Sequence, residues 1–225
     1  MFLIIICIIL AGFFYYFFIG SAPVDGNIKW GVDFSQMQAQ SLGLDWKETY
    51  LALIDELGAK NIKLHTQWDW VEGKKDNFYF NDIDWQLNQA ERHNASIIYV
   101  VGMKTGRWPE CHIPDWAKNL SREDLQNSVL DYLKEIVPRY KDSAAIWAWQ
   151  VENEPFFHFG VCPQTDKDFL KKEIDLVKSL DDKNRPVIVS DSGESSLWFK
   201  AAGLGDFLGI TMYRKTTNKF VGVVN

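Results

Sequence analysis

The sequence predicts an α/β fold in which parallel strands alternate with covering helices and close into a barrel. Three observations predict it. Strand-like and helix-like segments alternate along the chain, and the strand-like ones are near-continuous apolar runs. Polar and aromatic residues then gather just after the strand ends, at Asp33–Gln36, His65–Trp70, Lys104–Trp116, Asn153–His158, Asp191–Glu194 and Tyr213–Arg214. A doubly wound open sheet that binds a dinucleotide would need a glycine-rich phosphate loop after its first strand, and none follows here. Clustering at strand C-termini is how a (β/α)₈ TIM barrel builds its site. The expected architecture is therefore such a barrel, with its first six βα units present and an N-terminal hydrophobic helix before them.

The elements follow in order. Ile28–Phe34 reads as the first strand, and Trp46–Leu57 as a helix capped by Asp45 and stopped at Gly58. Asn61–Thr66 is the second strand. Phe80–His93 is helical, with apolar positions at Ile83, Leu87 and Ala90. Ser96–Val101 is a β-branched apolar run. Ser121–Val137 is a helix with acidic residues in its first turn, where they complement the helix dipole. Ala145–Val151, Pro186–Ser190 and Phe207–Met212 are the remaining strands, with helices expected at Asp166–Leu180 and Ser196–Ala202. A barrel closes with eight strands, so a seventh and an eighth are expected beyond Asn225.

Residues Phe2 to Ile19 are apolar and uncharged, a length that just spans a bilayer and is long for the core of a signal peptide. Gly20, Ser21 and Ala22 offer small residues for cleavage, but Pro23 directly after them disfavours it. Residues 1–22 are thus expected to be a signal anchor or signal peptide, and residues 23–225 a partial barrel domain. Either reading puts the domain outside the cytoplasm, membrane-anchored through residues 2–19 or secreted. Cys7 lies in the apolar segment. Cys111 and Cys162 then form an even pair in an exported domain and read as a disulfide, two free buried thiols being the alternative. The net charge of −6, without a Lys/Arg run, argues against a nucleic-acid partner. The four histidines are scattered and no metal-ligand spacing occurs, so neither metal nor cofactor is expected.

The chemistry concentrates in Ala145–Pro155, AIWAWQVENEP. An apolar strand running straight into Asn153-Glu154-Pro155 sets a carboxylate and an amide at the barrel mouth, and Pro155 ends the strand. This segment resembles the fourth strand of clan A glycoside hydrolases, the group that includes the cellulase-like family 5 and the β-galactosidase families. The resemblance covers roughly residues 28 to 214 and lies in motif order more than in any single motif. It implies that Glu154 is the general acid/base, protonating the glycosidic oxygen and then deprotonating water, and that Asn153 holds the sugar 2-hydroxyl. Such a carboxyl works best with a raised pKa, for which Trp149, Phe156 and Phe157 offer an apolar wall, and Trp149 is also a candidate for substrate contact.

Asn61–Trp85 is similar to the clan's second strand and loop, although Lys63 stands where many members have Arg. Here His65 is a candidate for a sugar hydroxyl, against a satisfied core histidine. Trp68 and Trp70 are candidates of which one faces the cleft. Lys104–Trp116 forms an ordered, Gly/Pro-punctuated loop over the mouth, with Trp108 as a sugar-stacking platform and His112 as a further contact. A disulfide between Cys111 and Cys162 would pin two cleft walls. The resemblance also implies that Tyr213 hydrogen-bonds the nucleophile, a Glu carried at the end of strand seven and so beyond this sequence. Asp191 and Glu194 are weaker candidates for sugar contact. Glu152 is expected to lie in an inner layer. The expected function is retaining hydrolysis of O-glycosidic bonds in a carbohydrate substrate. The competing reading is a barrel that binds carbohydrate without cleaving it, which a complete gene lacking the strand-seven Glu would favour.

Overall fold

The computed structural model describes residues 2–15, 28–193, 196–213, 216–218 and 222–224. It falls into two units, residues 1–30 and 31–225. In the first unit, helix α1 is Phe2–Phe14, thirteen residues or about 20 Å of rise. The expected apolar span of Phe2 to Ile19 runs past Tyr15, and its last residues lie outside the described ones. Among the described residues, no helix is long and apolar enough to cross a membrane.

The second unit is built on a six-stranded parallel sheet whose spatial order is its sequence order: β1 Val32–Asp33, β2 Asn61–His65, β3 Ser96–Val101, β4 Ile146–Val151, β5 Val187–Ser192 and β6 Phe207–Thr211. Each strand pairs in parallel with the next, as six consecutive units of a (β/α)₈ barrel do. Strand β1 is far shorter than the expected Ile28–Phe34. Val32 pairs with Ile62, one residue inside β2, so the partner strand gives no ladder to residues before Gly31.

Helices α2 Gln36–Ser41, α3 Trp46–Leu51, α4 Trp68–Val71, α5 Asn81–Arg92, α6 Arg122–Tyr140 and α7 Lys167–Leu180 lie between the strands. Asp45 caps α3 by accepting from the Lys47 and Glu48 amides at 2.8 and 3.0 Å. That helix continues as a π-turn through Ala52–Glu56, and Gly58 follows it with a left-handed φ of 70°. Helix α6 runs past the expected Val137 with Pro138 in its last turn. The end is held by Tyr140, which is buried and donates to Asp84 at 2.8 Å. The expected helix at Ser196–Ala202 is a series of turns. Ser196 is committed to Asp191 and to the Trp198 amide, and Trp198 has φ 61°.

The core lies between the sheet and α5, α6 and α7. Ile83, Leu87 and Ala90 come from α5, Val129, Leu133 and Ile136 from α6, and Leu170, Ile174 and Val177 from α7. A bulge in β4 fixes which side chains join it. Ile97 pairs with Ile146 but Ile98 with Ala148, so Trp147 is the extra residue. Trp149 then packs on Tyr99, and its indole N–H donates to Asp181 at 2.7 Å beyond the end of α7. Beyond the sheet, β7 Thr216–Asn218 and β8 Gly222–Val224 form an antiparallel pair.

Candidate active site

Strand β4 delivers Asn153 and Glu154 to the C-terminal end of the sheet, and neighbouring strands grip both. The Glu154 amide donates to Ser190 Oγ on β5 at 2.9 Å, and Thr211 on β6 donates its hydroxyl to Glu154 Oε1. Lys104, in the loop after β3, donates its ammonium to the Glu154 and Phe157 carbonyls at 2.8 and 2.6 Å. On the other side, Lys63 of β2 donates to Asn153 Oδ1 at 3.2 Å, and Gln150 donates to the same oxygen at 3.3 Å. Asn153 and Glu154 are 8% and 7% exposed, enough for a small atom to reach them and too little for bulk water to screen them. Glu154 holds φ 47°, a left-handed conformation that costs a non-glycine residue of order 1–3 kcal/mol. Three neighbouring elements keep it there.

Charges of both signs surround this pair. Burial pushes the Asp33 carboxyl up, but the hydrogen bond from His65 and the charges of Lys63 and Arg107 outweigh it and hold the group below the usual range. Burial pushes the Lys63 ammonium down, with Asp33 and Glu154 opposing that. Glu110 is pushed up by burial, with Lys104 lowering it and Glu154 adding like-charge repulsion. The Tyr213 phenol is pushed up by burial and then by the charges of Glu154 and Glu110, and its ring is largely exposed. Alternating cation and carboxylate around one recess suits the hydroxyls of a sugar, which donate to one and accept from the other.

The loops add an aromatic rim. Trp108 is 66% exposed and meets Phe159 edge-on, with ring centroids 6.3 Å apart. Cys111 and Cys162 form a disulfide, with their Cα atoms 5.2 Å apart, and the Val161 amide donates to the Pro109 carbonyl at 2.9 Å. Gly160 sits where a Cβ would come within 2.5 Å of that carbonyl, so only glycine lets the loops approach this closely. Closing a loop of 51 residues, the disulfide stabilises the fold by about 4 kcal/mol on the chain-entropy argument.

The sequence-predicted residues separate sharply. Glu154, Asn153, Tyr213 and Trp108 come to the mouth. Trp70 is 39% exposed on the short helix α4. Trp68 and Trp149 are corrections: both are fully buried, with their indole N–H groups spent on Glu72 and Asp181 at 2.7 Å. His65 and His112 are corrections too. The ring nitrogens of His65 bond Asp33 and the Thr105 carbonyl, and His112 is buried against the Gly106 carbonyl and Asp69. Asp191 is buried and turned to Ser192 and Ser196, while Glu194 and Arg214 lie outside the described residues. Sequence reasoning missed Ser190, Thr211, Lys104 and Glu110. For Ser190 and Thr211 a signal existed: each is a hydroxyl at the C-terminal end of an otherwise apolar strand.

Known proteins resemble this arrangement. The model described as glycosyl hydrolase family 10 matches residues 26–173, about two thirds of the chain. Mannan endo-1,4-β-mannosidase A of Emericella nidulans (strain FGSC A4) is 31% identical over 93 residues, 41% of this chain and 23% of that protein. The structure of a glycosylated family 10 endo-β-1,4-xylanase from Gloeophyllum trabeum superposes with a TM-score of 0.61 at 17% identity, over 84% of this chain and 63% of that one. A β-galactosidase from Rahnella sp. R3 superposes with a TM-score of 0.60 at 12% identity, over 86% and 41%. These two likenesses show the fold, and the chain spans under two thirds of each relative's length. The clan resemblance read from Asn153-Glu154-Pro155 therefore holds, and the matching family model is not the cellulase-like family 5 but family 10. The chain belongs to glycosyl hydrolase family 10, among the clan A (β/α)₈-barrel glycoside hydrolases.

Proposed function

We propose that this protein hydrolyses β-1,4-linked mannan, with Glu154 as the general acid/base. The observation that carries the reading is the grip on Glu154: its carboxyl is bonded by Thr211, its amide by Ser190 and its carbonyl by Lys104, at the barrel end of β4. A carboxyl held in that way presents one fixed face to a bound glycosidic oxygen. The mannan-cleaving relatives favour a mannan backbone, and the family 10 neighbour makes xylan the second substrate to test.

In the proposed reaction a sugar chain lies across the recess between Asp33 and Tyr213. Asn153, oriented by Lys63 and Gln150, donates an amide hydrogen to the 2-hydroxyl beside the bond to be cut. Glu154 passes its proton to the leaving oxygen and then takes one from water. The mechanism is retaining, which calls for a second carboxyl about 5–5.5 Å from the first. The strand-seven Glu of the clan is the proposed nucleophile. Trp108 and Phe159 supply stacking faces for a sugar unit further along the chain. The disulfide fits an oxidising compartment, so we read residues 1–22 as an export leader or anchor and the domain as extracytoplasmic.

Calorimetric titration with mannohexaose, xylohexaose and maltohexaose tests this. Mannohexaose is expected to bind, Glu154→Gln to keep that binding and maltohexaose to give no heat. Equal binding of all three, or of none, would overturn the substrate class. Mannohexaose binding without release of shorter sugars, in a protein that extends through the strand-seven Glu, would favour the non-catalytic barrel.

A further inference from the structure

Helix α7 carries a carboxylate where its pattern calls for an apolar side chain. Phe169, Leu170, Ile174 and Val177 form its buried stripe, and Glu173 sits in the middle of it, with no measurable exposure. Among the described residues, no donor reaches either of its oxygens. The group it faces is the carboxyl of Glu152, itself wholly buried two residues before Glu154. Glu152 is differently placed. It accepts the Met103 and Lys104 amides at 2.8 and 2.5 Å, and φ is 58° at its own Cα. Gly102 makes room for it, since a Cβ there would come within 2.5 Å of Glu152 Oε1.

Two buried carboxylates cannot face each other with both ionised, because each would lack water and repel the other. The amides mark which keeps its charge. Two N–H donors favour ionised Glu152, and Glu173 has none, so the proton belongs on Glu173. Burial pushes both groups up, and the charge of Glu152 pushes Glu173 further.

We propose that Glu173 stays protonated at neutral pH and donates its proton to Glu152, forming a latch that positions Glu154. The latch acts through Lys104. Glu152 holds the Lys104 amide, the Lys104 carbonyl accepts from the Asn153 amide at 2.5 Å, and the Lys104 ammonium holds the Glu154 carbonyl at 2.8 Å. One residue of the loop after β3 thus carries the geometry of α7 to both candidate catalytic side chains. Other charges face the pair from each packed element. Lys104 opposes proton binding by Glu152 from the loop, Asp166 raises Glu173 from the start of α7, and Tyr132 approaches Glu152 from α6. When pH rises far enough to strip the proton, two like charges meet in the core and the Lys104 segment loses its anchor.

This positioning role rests on the reading of Glu154 as acid/base, but the proton on Glu173 does not. The test uses the full chain with ¹³C-labelled glutamate carboxyls, followed by NMR against pH. One carboxyl is expected to remain protonated at about pH 7, well above the usual Glu range near 4.3, and to vanish from the spectrum in Glu173→Gln. No such carboxyl, or one that survives in Glu173→Gln, would overturn the latch. The sign of the linkage gives a second readout. A carboxyl with a raised folded-state pKa contributes stability that is full below the unfolded value and is lost as pH rises through the folded one. The urea midpoint of the wild type should therefore fall on going alkaline more than that of Glu173→Gln, whose amide donates at every pH. Positioning itself is read from mannohexaose affinity. It should weaken with rising pH in the wild type, stay level in Glu173→Gln, and be weak throughout in Glu173→Ala. Identical affinity profiles in the wild type and Glu173→Gln would overturn positioning, even where the protonated carboxyl is found. Binding that follows this pattern in a protein that carries the strand-seven Glu yet cuts no mannan would instead break the catalytic reading and leave the latch standing.

Discussion

The two sides of the end of β4 are made of similar residues put to opposite uses. On the helix side, Trp149 and Glu152 are wholly buried, and the indole N–H of Trp149 is spent on Asp181. On the cleft side, Asn153 and Glu154 are almost as buried, yet each keeps a small part of its surface exposed. Glu152 and Glu154 even share a left-handed backbone conformation. What separates them is their surroundings. Glu152 meets loop amides and another carboxyl, whereas Glu154 meets two hydroxyls and an ammonium from three separate strand ends. Buried polarity of the first kind holds the fold, and of the second kind aims a reactive group.

Substitutions on either side should break in different observables. The largest effect is expected on the cleft side: in the protein extended through the strand-seven Glu, Glu154→Gln should lower kcat for an unactivated β-mannoside by about 10²–10⁴-fold. Its urea midpoint should stay near that of the unaltered protein. On the helix side, Trp149→Ala should cost about 3–5 kcal/mol, from the lost packing and the cavity left behind. Denaturant unfolding would show it, and a loss under 1 kcal/mol would mean that the Tyr99–Trp149 contact is not core. The loops lie between these extremes. Replacing Cys111 and Cys162 together by Ser should cost about 2–4 kcal/mol and lower oligosaccharide affinity, since the same bond closes the chain and sets the rim. The smallest stability change belongs to Trp108→Ala, within about 0.5 kcal/mol as for other exposed positions. It should nevertheless weaken mannohexaose binding severalfold by calorimetry, and undiminished binding would remove Trp108 from the cleft.

The same contrast explains what the sequence made legible. Strands β3 and β4 and helices α6 and α7 carry enough apolar periodicity to be read locally, and Asn153-Glu154-Pro155 announces the site because it breaks an apolar strand. The fate of the aromatics is not local. Trp68 and Trp149 look like sugar platforms until Glu72 and Asp181 are seen to take their N–H groups, and Asp181 is 32 residues away. The grip on Glu154 is hidden for the same reason, as Ser190, Lys104 and Thr211 lie 36, 50 and 57 residues from it in sequence. Sequence reasoning missed Glu173, and only the fold brings Glu152 to it.

The most direct test of the central claim is covalent labelling with an N-bromoacetyl β-mannosylamine, whose reactive carbon lies where the leaving oxygen would. The carboxylate facing that position displaces bromide and forms an ester, which peptide mass spectrometry locates. The account predicts one adduct, on Glu154, suppressed by mannohexaose and absent from Glu154→Gln. An adduct on Glu110 or Asp33 instead, or labelling that mannohexaose leaves unchanged, would contradict it.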